Sequence, residues 1–196
     1  PRSTLDRSSA ASDVYKRQGV HRGRRLRVPS GIRPTTERVR AAIFDALQRP
    51  MPERVLDLYA GSGALGIEAL SRGAGQVCFV ERDRVAAATI RANISDLAAD
   101  VGSKVIVGDV RRVDVSREGP CELVYADPPY ASDQWALLFE LLGSSRVLVA
   151  GAVLVAEMSS RRQVPTAPNG WHCWKERRHG DTVFAFFVYD ATPICA

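Results

Sequence analysis

The sequence has few cysteines and no long apolar run. No stretch approaches the roughly 20 apolar residues that a membrane-spanning helix needs, and residues 1–18 contain no apolar segment typical of a secretory signal. The four cysteines lie far apart and form no C-x-x-C pair, which argues against a metal site or a disulfide framework in a chain of 196 residues. We therefore expect a cytoplasmic protein with one globular domain and no metal.

Positive charge is concentrated at the start of the chain. Residues 1–40 contain 11 Arg or Lys and 3 acidic residues, a balance of +8, whereas the remaining residues contain 16 and 19, a balance of −3. A basic arm on a weakly acidic body is typical of a protein that binds a polyanion. An Arg-rich, merely solvated tail would give the same balance, so this alternative stays open.

Composition divides the chain into three regions. Residues 1–18 are polar without periodicity, and we expect a disordered or non-native leader. Residues 19–52 are predicted to form a basic arm, with a short β-hairpin over 19–29 followed by the first helix. The segment Pro34-Thr35-Thr36-Glu37 begins that helix, and Pro50 and Pro52 end it. Residues 53–196 form the main domain.

Strands and helices alternate along the main domain. Apolar runs predict strands, and apolar residues at helical spacing predict the helices between them. The predicted strands are 55–58, 76–81, 104–107, 122–126 and 147–157, and the predicted helices are 64–71, 84–97 and 135–142. The chain ends with two predicted strands, 172–178 and 182–189, around a His179-Gly180-Asp181 turn.

This alternation predicts an α/β fold of the doubly wound, Rossmann-like type. Parallel strands joined through helices give a sheet that is covered on both faces. The terminal hairpin should add an antiparallel strand at one edge, giving a seven-stranded, mostly parallel sheet with a reversed last strand. Ligands of such sheets bind beyond the carboxyl ends of the strands, where the motifs described next are expected.

A glycine-rich motif follows the first strand of the main domain. Gly61-Ser62-Gly63-Ala64-Leu65-Gly66 matches G-x-G-x-x-G, and Glu81 follows Gly61 by 20 residues, at the end of the next strand. Glycines allow a tight turn beneath a nucleotide, and a carboxylate accepts hydrogen bonds from ribose hydroxyls. By itself, this pattern fits a nicotinamide-dependent dehydrogenase as well as an enzyme that uses S-adenosylmethionine.

Two further carboxylates favour S-adenosylmethionine. Asp57 lies four residues before Gly61, where a carboxylate can face the ammonium of the methionine moiety. An acid aimed towards a pyrophosphate would not help a dehydrogenase. Asp109 follows the third strand, where it can accept a hydrogen bond from the adenine amine, although a simple helix-capping role would also explain it.

The fourth strand leads directly into Asp127-Pro128-Pro129-Tyr130. Two prolines remove two N–H donors, so the loop presents acceptors, namely the Asp127 carboxylate and the Pro128 carbonyl. Two acceptors that hold the hydrogens of an exocyclic base amine would favour a pyramidal nitrogen with an available lone pair. Tyr130 offers a face on which the base can stack. The motif therefore predicts methylation of an exocyclic amine of a nucleobase.

Together, these motifs resemble the class I methyltransferases and, more narrowly, the RsmD family of bacterial 16S ribosomal RNA guanine-N2 methyltransferases. The resemblance covers about residues 19–190 and includes the segment from Asp57 to Gly66 and the Asp127 loop. Further matching segments are Val80-Glu81-Arg82-Asp83, Gly23-Arg24-Arg25-Leu26, Arg33-Pro34-Thr35, Arg38-Val39-Arg40 and Gly180-Asp181-Thr182.

The resemblance implies roles for particular residues. It implies that S-adenosylmethionine is bound by Asp57, Tyr59, Gly61, Gly63, Glu81 and Asp109. It implies that the guanine is held by Asp127, Pro128, Pro129 and Tyr130. It implies RNA contacts from Arg24, Arg25, Arg33, Thr35 and Arg38. The family also implies a monomer that acts on 16S ribosomal RNA or on a partly assembled small ribosomal subunit.

Three alternatives remain at the level of sequence. An adenine-N6 methyltransferase of DNA or RNA would use the same loop, although no spare region for DNA recognition is evident. A nicotinamide-dependent oxidoreductase would leave the Asp127 loop and the basic arm unexplained. A non-catalytic RNA-binding protein would have no need for the intact glycine motif, Glu81 and Asp127.

Overall fold

The computed structural model describes residues 14–15, 25–29, 37–47, 50–129 and 134–190. The strands are β1 (Val14–Tyr15), β2 (Arg25–Leu26), β3 (Arg54–Leu58), β4 (Gln76–Glu81), β5 (Ser103–Val107), β6 (Cys121–Ala126), β7 (Leu148–Ser159), β8 (Trp171–His179) and β9 (Thr182–Tyr189). The helices are α1 (Glu37–Leu47), α2 (Ala64–Ser71), α3 (Arg84–Asp96) and α4 (Trp135–Ser144), with a short 3₁₀ helix at Ser116–Glu118. Every predicted element of the main domain is confirmed, with bounds within two residues.

Seven strands form one sheet in the order β5-β4-β3-β6-β7-β9-β8. The strands from β5 to β7 pair in parallel, and β9 is antiparallel to both β7 and β8. The predicted α/β sheet with a reversed last strand is therefore confirmed. The central strands β3 and β6 are almost wholly buried, as expected for parallel strands covered on both faces.

Alternate residues of each strand face two separate apolar layers. On one face, α1, α2 and α3 pack through Phe44, Ile67 and Ile90 against strand residues such as Phe79 and Tyr125. On the other face, α4 packs through Leu138, Phe139 and Leu142. In the described part of the chain, no helix is long and apolar enough to cross a membrane.

The antiparallel strand does not lie at the edge of the sheet, and this corrects the expectation for the terminal hairpin. β9 is inserted between β7 and β8, so that β8 is the edge strand. The composition of the two strands explains the order. The Val183–Phe187 stretch of β9 is buried throughout, whereas most of β8 is polar and exposed. An interior position buries the apolar strand on both faces, and the charged strand remains in solvent at the edge.

The N-terminal pairing also differs in place from the expected hairpin over residues 19–29. β1 pairs with β2 in antiparallel register, with Val14 opposite Leu26 and Tyr15 opposite Arg25, so part of the expected leader belongs to a strand. A pairing of two residues is too short for the alternation that would reveal it in a sequence. Leu26 and Val28 then join the apolar layer beneath α1.

Candidate functional site

The carboxyl ends of β3, β4, β5 and β6 lie side by side at one edge of the sheet, and a cavity of about 230 Å³ opens between the loops that follow them. Its walls include seven residues predicted from the sequence, namely Tyr59, Gly61, Glu81, Asp109, Asp127, Pro128 and Pro129. A larger cleft of about 1120 Å³ lies between α4 and the chain leading into β8, and it contains none of the predicted site residues.

Two positions of the glycine loop require glycine, one for its backbone conformation and one for close packing. Gly63 has a φ of 74° and its N–H donates to the Ala60 carbonyl at 2.7 Å, while its own carbonyl accepts the Ile67 N–H at 2.9 Å. At Gly66, a Cβ would lie 2.3 Å from a ring carbon of Phe79, so only glycine allows α2 to approach β4 this closely. Gly63 therefore forms the turn at the start of α2 without lining the cavity.

Glu81 joins the two loops on either side of the cavity. One carboxylate oxygen accepts the Gly61 N–H at 2.8 Å, and the other accepts the Asp83 N–H at 2.7 Å. Each carboxylate oxygen has a second lone pair that can accept a hydroxyl. Glu81 thus fixes the glycine loop to the end of β4 and still presents acceptor capacity to the cavity.

Asp109 lies in a turn after β5 and pairs with Arg111. Its Oδ1 accepts the Arg111 backbone N–H at 3.0 Å and the Arg111 Nε–H at 2.9 Å. These hydrogen bonds hold the pKa of Asp109 below its usual range. Asp109 therefore stays ionised at the cavity wall, as an acceptor of an amine hydrogen must.

Asp57 lies in the middle of the sheet and is almost completely buried. Its Oδ2 accepts the Gly66 N–H at 2.9 Å. Burial, with smaller contributions from the charges of Glu81 and Asp127, raises the pKa of Asp57 from 3.8 to about 8. The carboxyl group is therefore largely neutral at pH 7 until a positive charge arrives beside it.

Asp127 follows β6 and is reached by solvent, whereas the adjacent Pro128 is buried. Surrounding protein atoms desolvate the Asp127 carboxylate and raise its pKa to about 6. A second space of about 50 Å³ shares the Asp127, Gly61 and Tyr59 walls and continues towards Asp57. Asp127 therefore lies where this smaller space beside the glycine loop meets the cavity of about 230 Å³.

Three residues of the site were not identified from the sequence. Arg111 pairs with Asp109, Gln134 accepts the Tyr59 hydroxyl at 2.6 Å through its Oε1, and Glu157 at the end of β7 lines the smaller space. Glu157 had a signal, since it is an acid at the carboxyl end of a parallel strand. Gln134 had none, because it is far from Tyr59 in sequence.

Some of the predicted residues belong to parts of the chain that the structure does not describe. Tyr130, Arg24, Arg33 and Thr35 lie outside the described residues, as does the side chain of Arg25. Arg38 is the predicted RNA-contact residue whose side chain is described, and it is exposed on the first turn of α1. The RNA-contact set therefore stays a prediction.

The chain has clear similarity to known proteins. The family model for conserved hypothetical protein 95 matches residues 17–188. The ribosomal RNA small subunit methyltransferase D of Escherichia coli (strain K12) is 32% identical over 176 residues, which are 88% of either chain. The solved structure of yhhF from Escherichia coli has a TM-score of 0.82 and 31% identity, and the match covers 92% of this chain and 100% of that chain.

A more distant solved structure shows the fold alone. It is an RNA methyltransferase from Salinibacter ruber in complex with S-adenosyl-L-homocysteine, with 19% identity, a TM-score of 0.60 and coverage of 82% of this chain and 95% of that chain. The class I methyltransferase fold predicted from the sequence is thereby confirmed. With a family model spanning most of its length and relatives of the same name in several bacteria, this chain belongs to the conserved hypothetical protein 95 family, the RsmD family of methyltransferases.

Proposed function

We propose that this protein transfers a methyl group from S-adenosylmethionine to the exocyclic N2 of a guanine in 16S ribosomal RNA. The observation that carries the proposal is one cavity whose walls include both the Gly61–Glu81–Asp109 set and the Asp127-Pro128-Pro129 loop. The first set suits an adenosine, and the loop suits a base amine. Membership in a family that includes ribosomal RNA methyltransferases supports the same substrate.

The residues on the β3, β4 and β5 side fit S-adenosylmethionine, which supplies an electrophilic methyl group when bound. Glu81 would accept the ribose hydroxyls, since its carboxylate is held in place by two backbone N–H groups. Asp109 would accept the adenine amine, and Tyr59 and Gly61 would line the same space. Asp57 would gain its negative charge as the methionine ammonium approaches, because a nearby cation lowers a raised carboxyl pKa.

The Asp127 loop would act on the guanine amine. The ionised Asp127 carboxylate and the Pro128 carbonyl would accept its two hydrogens, leaving the nitrogen lone pair free to attack the methyl carbon. The amine nitrogen would take the methyl group that the bound cofactor supplies and would then lose one proton to solvent. Tyr130 would stack against the base, a contact worth about 1–3 kcal/mol. Alignment of the two reactants supplies much of the rate enhancement.

The RNA itself would be held by the basic arm through Arg24, Arg25, Arg33, Thr35 and Arg38. We propose that the protein acts in the cytoplasm as a monomer on a partly assembled small ribosomal subunit. Substitution of Arg24 and Arg25 by Ala should weaken RNA binding and flatten its salt dependence, because fewer counterions are released. An unchanged salt slope would exclude these two residues from the RNA interface.

The substrate is tested by incubating the protein with methyl-labelled S-adenosylmethionine and each of three nucleic acids: small ribosomal subunits, naked 16S RNA and duplex DNA. Digestion then identifies the labelled nucleoside. We expect N2-methylguanosine in the RNA samples alone. Label in N6-methyladenine would establish the rival assignment, an adenine-N6 methyltransferase that uses the same loop.

A further inference from the structure

The edge strand β8 carries a row of exposed side chains that the proposed function has not used. We call the β8 rim the Arg, Lys and Trp side chains of this strand and of the turn after β7 that are exposed or half-buried. It consists of Arg161, Arg162, Trp174, Lys175, Arg177 and Arg178. Lys175 is half-buried and the other five are exposed.

The sheet register places the β8 rim at the same end of the strands as Asp127, the end where the carboxyl termini of β3 to β6 lie. Asp127 and Glu157 directly follow the paired residues Ala126 and Ala156, Glu157 is opposite Phe184, and Phe184 is opposite Arg177. Arg177 therefore lies in the row of Asp127, three strand spacings away. At about 4.8 Å per spacing, the two residues are roughly 14 Å apart. A nucleic acid strand whose base enters the cavity can reach the rim.

Charge is distributed unevenly over the domain. Residues 159–182 contain 5 Arg or Lys and 2 acidic residues, whereas the rest of 41–196 contains 11 and 17. Residues 159–182 thus carry net positive charge in a domain whose remainder is net acidic, and they include the rim that lies in the row of Asp127. An acidic surface repels RNA, so a flanking strand of RNA would be drawn along this segment.

The cationic groups of the rim have no carboxylate partner among the described residues. Arg177 donates to the Glu176 carbonyl at 2.9 Å, Arg178 to the Ser160 carbonyl at 3.3 Å, and Lys175 to the Ala46 carbonyl at 2.9 Å. Elsewhere in the described chain, Arg27, Arg72, Lys104 and Arg111 do pair with carboxylates. The rim therefore keeps positive charge available for phosphates.

Trp174 adds an aromatic face to this charge. Its side chain is 42% exposed, and it lies at a register irregularity of β8 between Cys173 and Lys175. Such irregularities turn a side chain away from its regular position. The ring packs edge-on against Phe186, and the Lys175 ammonium lies 4.4 Å from its centroid. An exposed indole beside cations is a surface on which an unpaired base stacks.

From these observations, we infer that the β8 rim is a second RNA-contact surface, which binds the strand flanking the target nucleotide through phosphates at Arg177 and neighbouring cations and through a base stacked on Trp174. This inference rests on the proposed RNA substrate. Protection of an edge strand against aggregation would also favour charged residues. Such protection requires charge of either sign, whereas RNA contact requires positive charge.

Reversal of one charge separates these two roles. We compare Arg177→Glu with Arg117→Glu, an exposed residue near the opposite end of the sheet, by measuring binding to a 16S RNA transcript over a range of salt concentrations. Arg177→Glu should weaken binding about tenfold and reduce the slope of log affinity against log salt by about 0.7, one single-strand phosphate contact. Arg117→Glu should change neither. Melting temperature and S-adenosylmethionine affinity should match wild type in both variants.

Two outcomes would overturn the inference: equal RNA affinity and slope for Arg177→Glu and Arg117→Glu, or Trp174→Ala binding RNA as tightly as Trp174→Phe. Wild-type methylation is assayed in parallel. If wild type forms N2-methylguanosine and Arg177→Glu binds normally, the rim assignment alone fails. If wild type methylates no RNA, the proposed function fails, and a selective loss of binding in Arg177→Glu would still identify the rim as an RNA surface.

Discussion

The carboxylates at the site edge fall into two pairs that differ in their surroundings. Glu81 ends β4 and Asp109 follows β5, and this outer pair accepts hydrogen bonds from nearby backbone N–H groups, as Asp57 also does from Gly66. Asp57 and Asp127, on the central strands β3 and β6, have pKa values raised to about 8 and about 6 by desolvation. The outer pair is positioned before any ligand arrives, whereas the charge of the central pair depends on what binds beside it.

This difference matches the two ends of the proposed reaction. Under the proposal, ribose and adenine would be recognised by acceptors that stay in place, which suits Glu81 and Asp109. Under the proposal, the ammonium and the reacting amine would lie beside Asp57 and Asp127, whose charge responds to a cation or to N–H donors. Desolvation is the cause: Asp57 is buried within β3, and surrounding protein atoms desolvate the Asp127 carboxylate.

Replacement of the reacting-end carboxylate should have the largest effect. We expect Asp127→Ala to lower kcat by about 10²–10³-fold or more, the range found when a preorganised hydrogen-bonding group is removed from an active site. Affinity for S-adenosylmethionine should stay close to that of wild type. Single-turnover methylation and equilibrium dialysis measure the two quantities. If kcat and S-adenosylmethionine affinity were lost together, Asp127 would be a cofactor-binding residue and not a residue that holds the guanine amine.

Asp57 should make the ligand-free protein less stable as pH rises. Between pH 4 and pH 8, the unfolded chain has lost this proton and the folded chain retains it, because the folded pKa is about 8 and the ordinary value is 3.8. The unfolded state then binds fewer protons, so the free energy of unfolding falls with pH, on the order of several kcal/mol at most.

Urea titrations at pH 5 and pH 8 measure this fall, with Asp57→Asn as the matched control that has no titrating group. Asn has the same shape and should flatten the pH dependence. S-adenosylmethionine should also flatten it, since its ammonium would stabilise the ionised form. A wild-type slope equal to that of Asp57→Asn would show that Asp57 is ionised without ligand.

Protonation of Asp127 should limit activity in acid. A carboxylate accepts both amine hydrogens only when ionised, and its pKa is raised to about 6. We therefore expect kcat/KM to fall as pH decreases through 6, by about tenfold per pH unit well below the pKa, and to level off above it. The profile is measured from pH 5 to pH 8 with RNA intact throughout. A flat profile over this range would place the pKa of Asp127 at its ordinary value.

The smallest effect is expected at the outer pair. Arg111→Ala removes the partner of Asp109, but this ion pair is partly exposed, with 44% of the Arg111 side chain accessible. Exposed ion pairs contribute about 0–1 kcal/mol, so affinity for S-adenosylmethionine should change less than about fivefold. Calorimetric titration measures the change. A loss of tenfold or more would mean that Asp109 depends on Arg111 for its position.

Much of the fold could be predicted because local patterns repeat along the chain. Strand and helix bounds of the main domain followed from apolar periodicity, and the glycine motif located the start of α2. The position of the terminal hairpin could not be predicted from these patterns, since two adjacent antiparallel strands can be added to the edge of a sheet in either order. Burial of the apolar β9 decided between the two orders.

Part of the site could also be predicted from local patterns in the sequence. Glu81, Asp109 and Asp127 each end or follow a strand, and Asp57 is one residue before the end of β3, so topology brings all four to the same end of the strands. Glu157 is also near the carboxyl end of a parallel strand, although it was not identified. Gln134 had to be seen in three dimensions, because Tyr59 is distant from it in sequence.

By itself, the sequence determined the α/β fold, the family and the site edge, because periodicity, glycine spacing and the Asp127-Pro128-Pro129 motif are local properties of the chain. Only the tertiary structure decided that the pKa values of Asp57 and Asp127 are raised, that β8 rather than β9 forms the edge, and that Arg177 lies in the row of Asp127. These properties depend on desolvation and register between distant segments, and no local pattern encodes either.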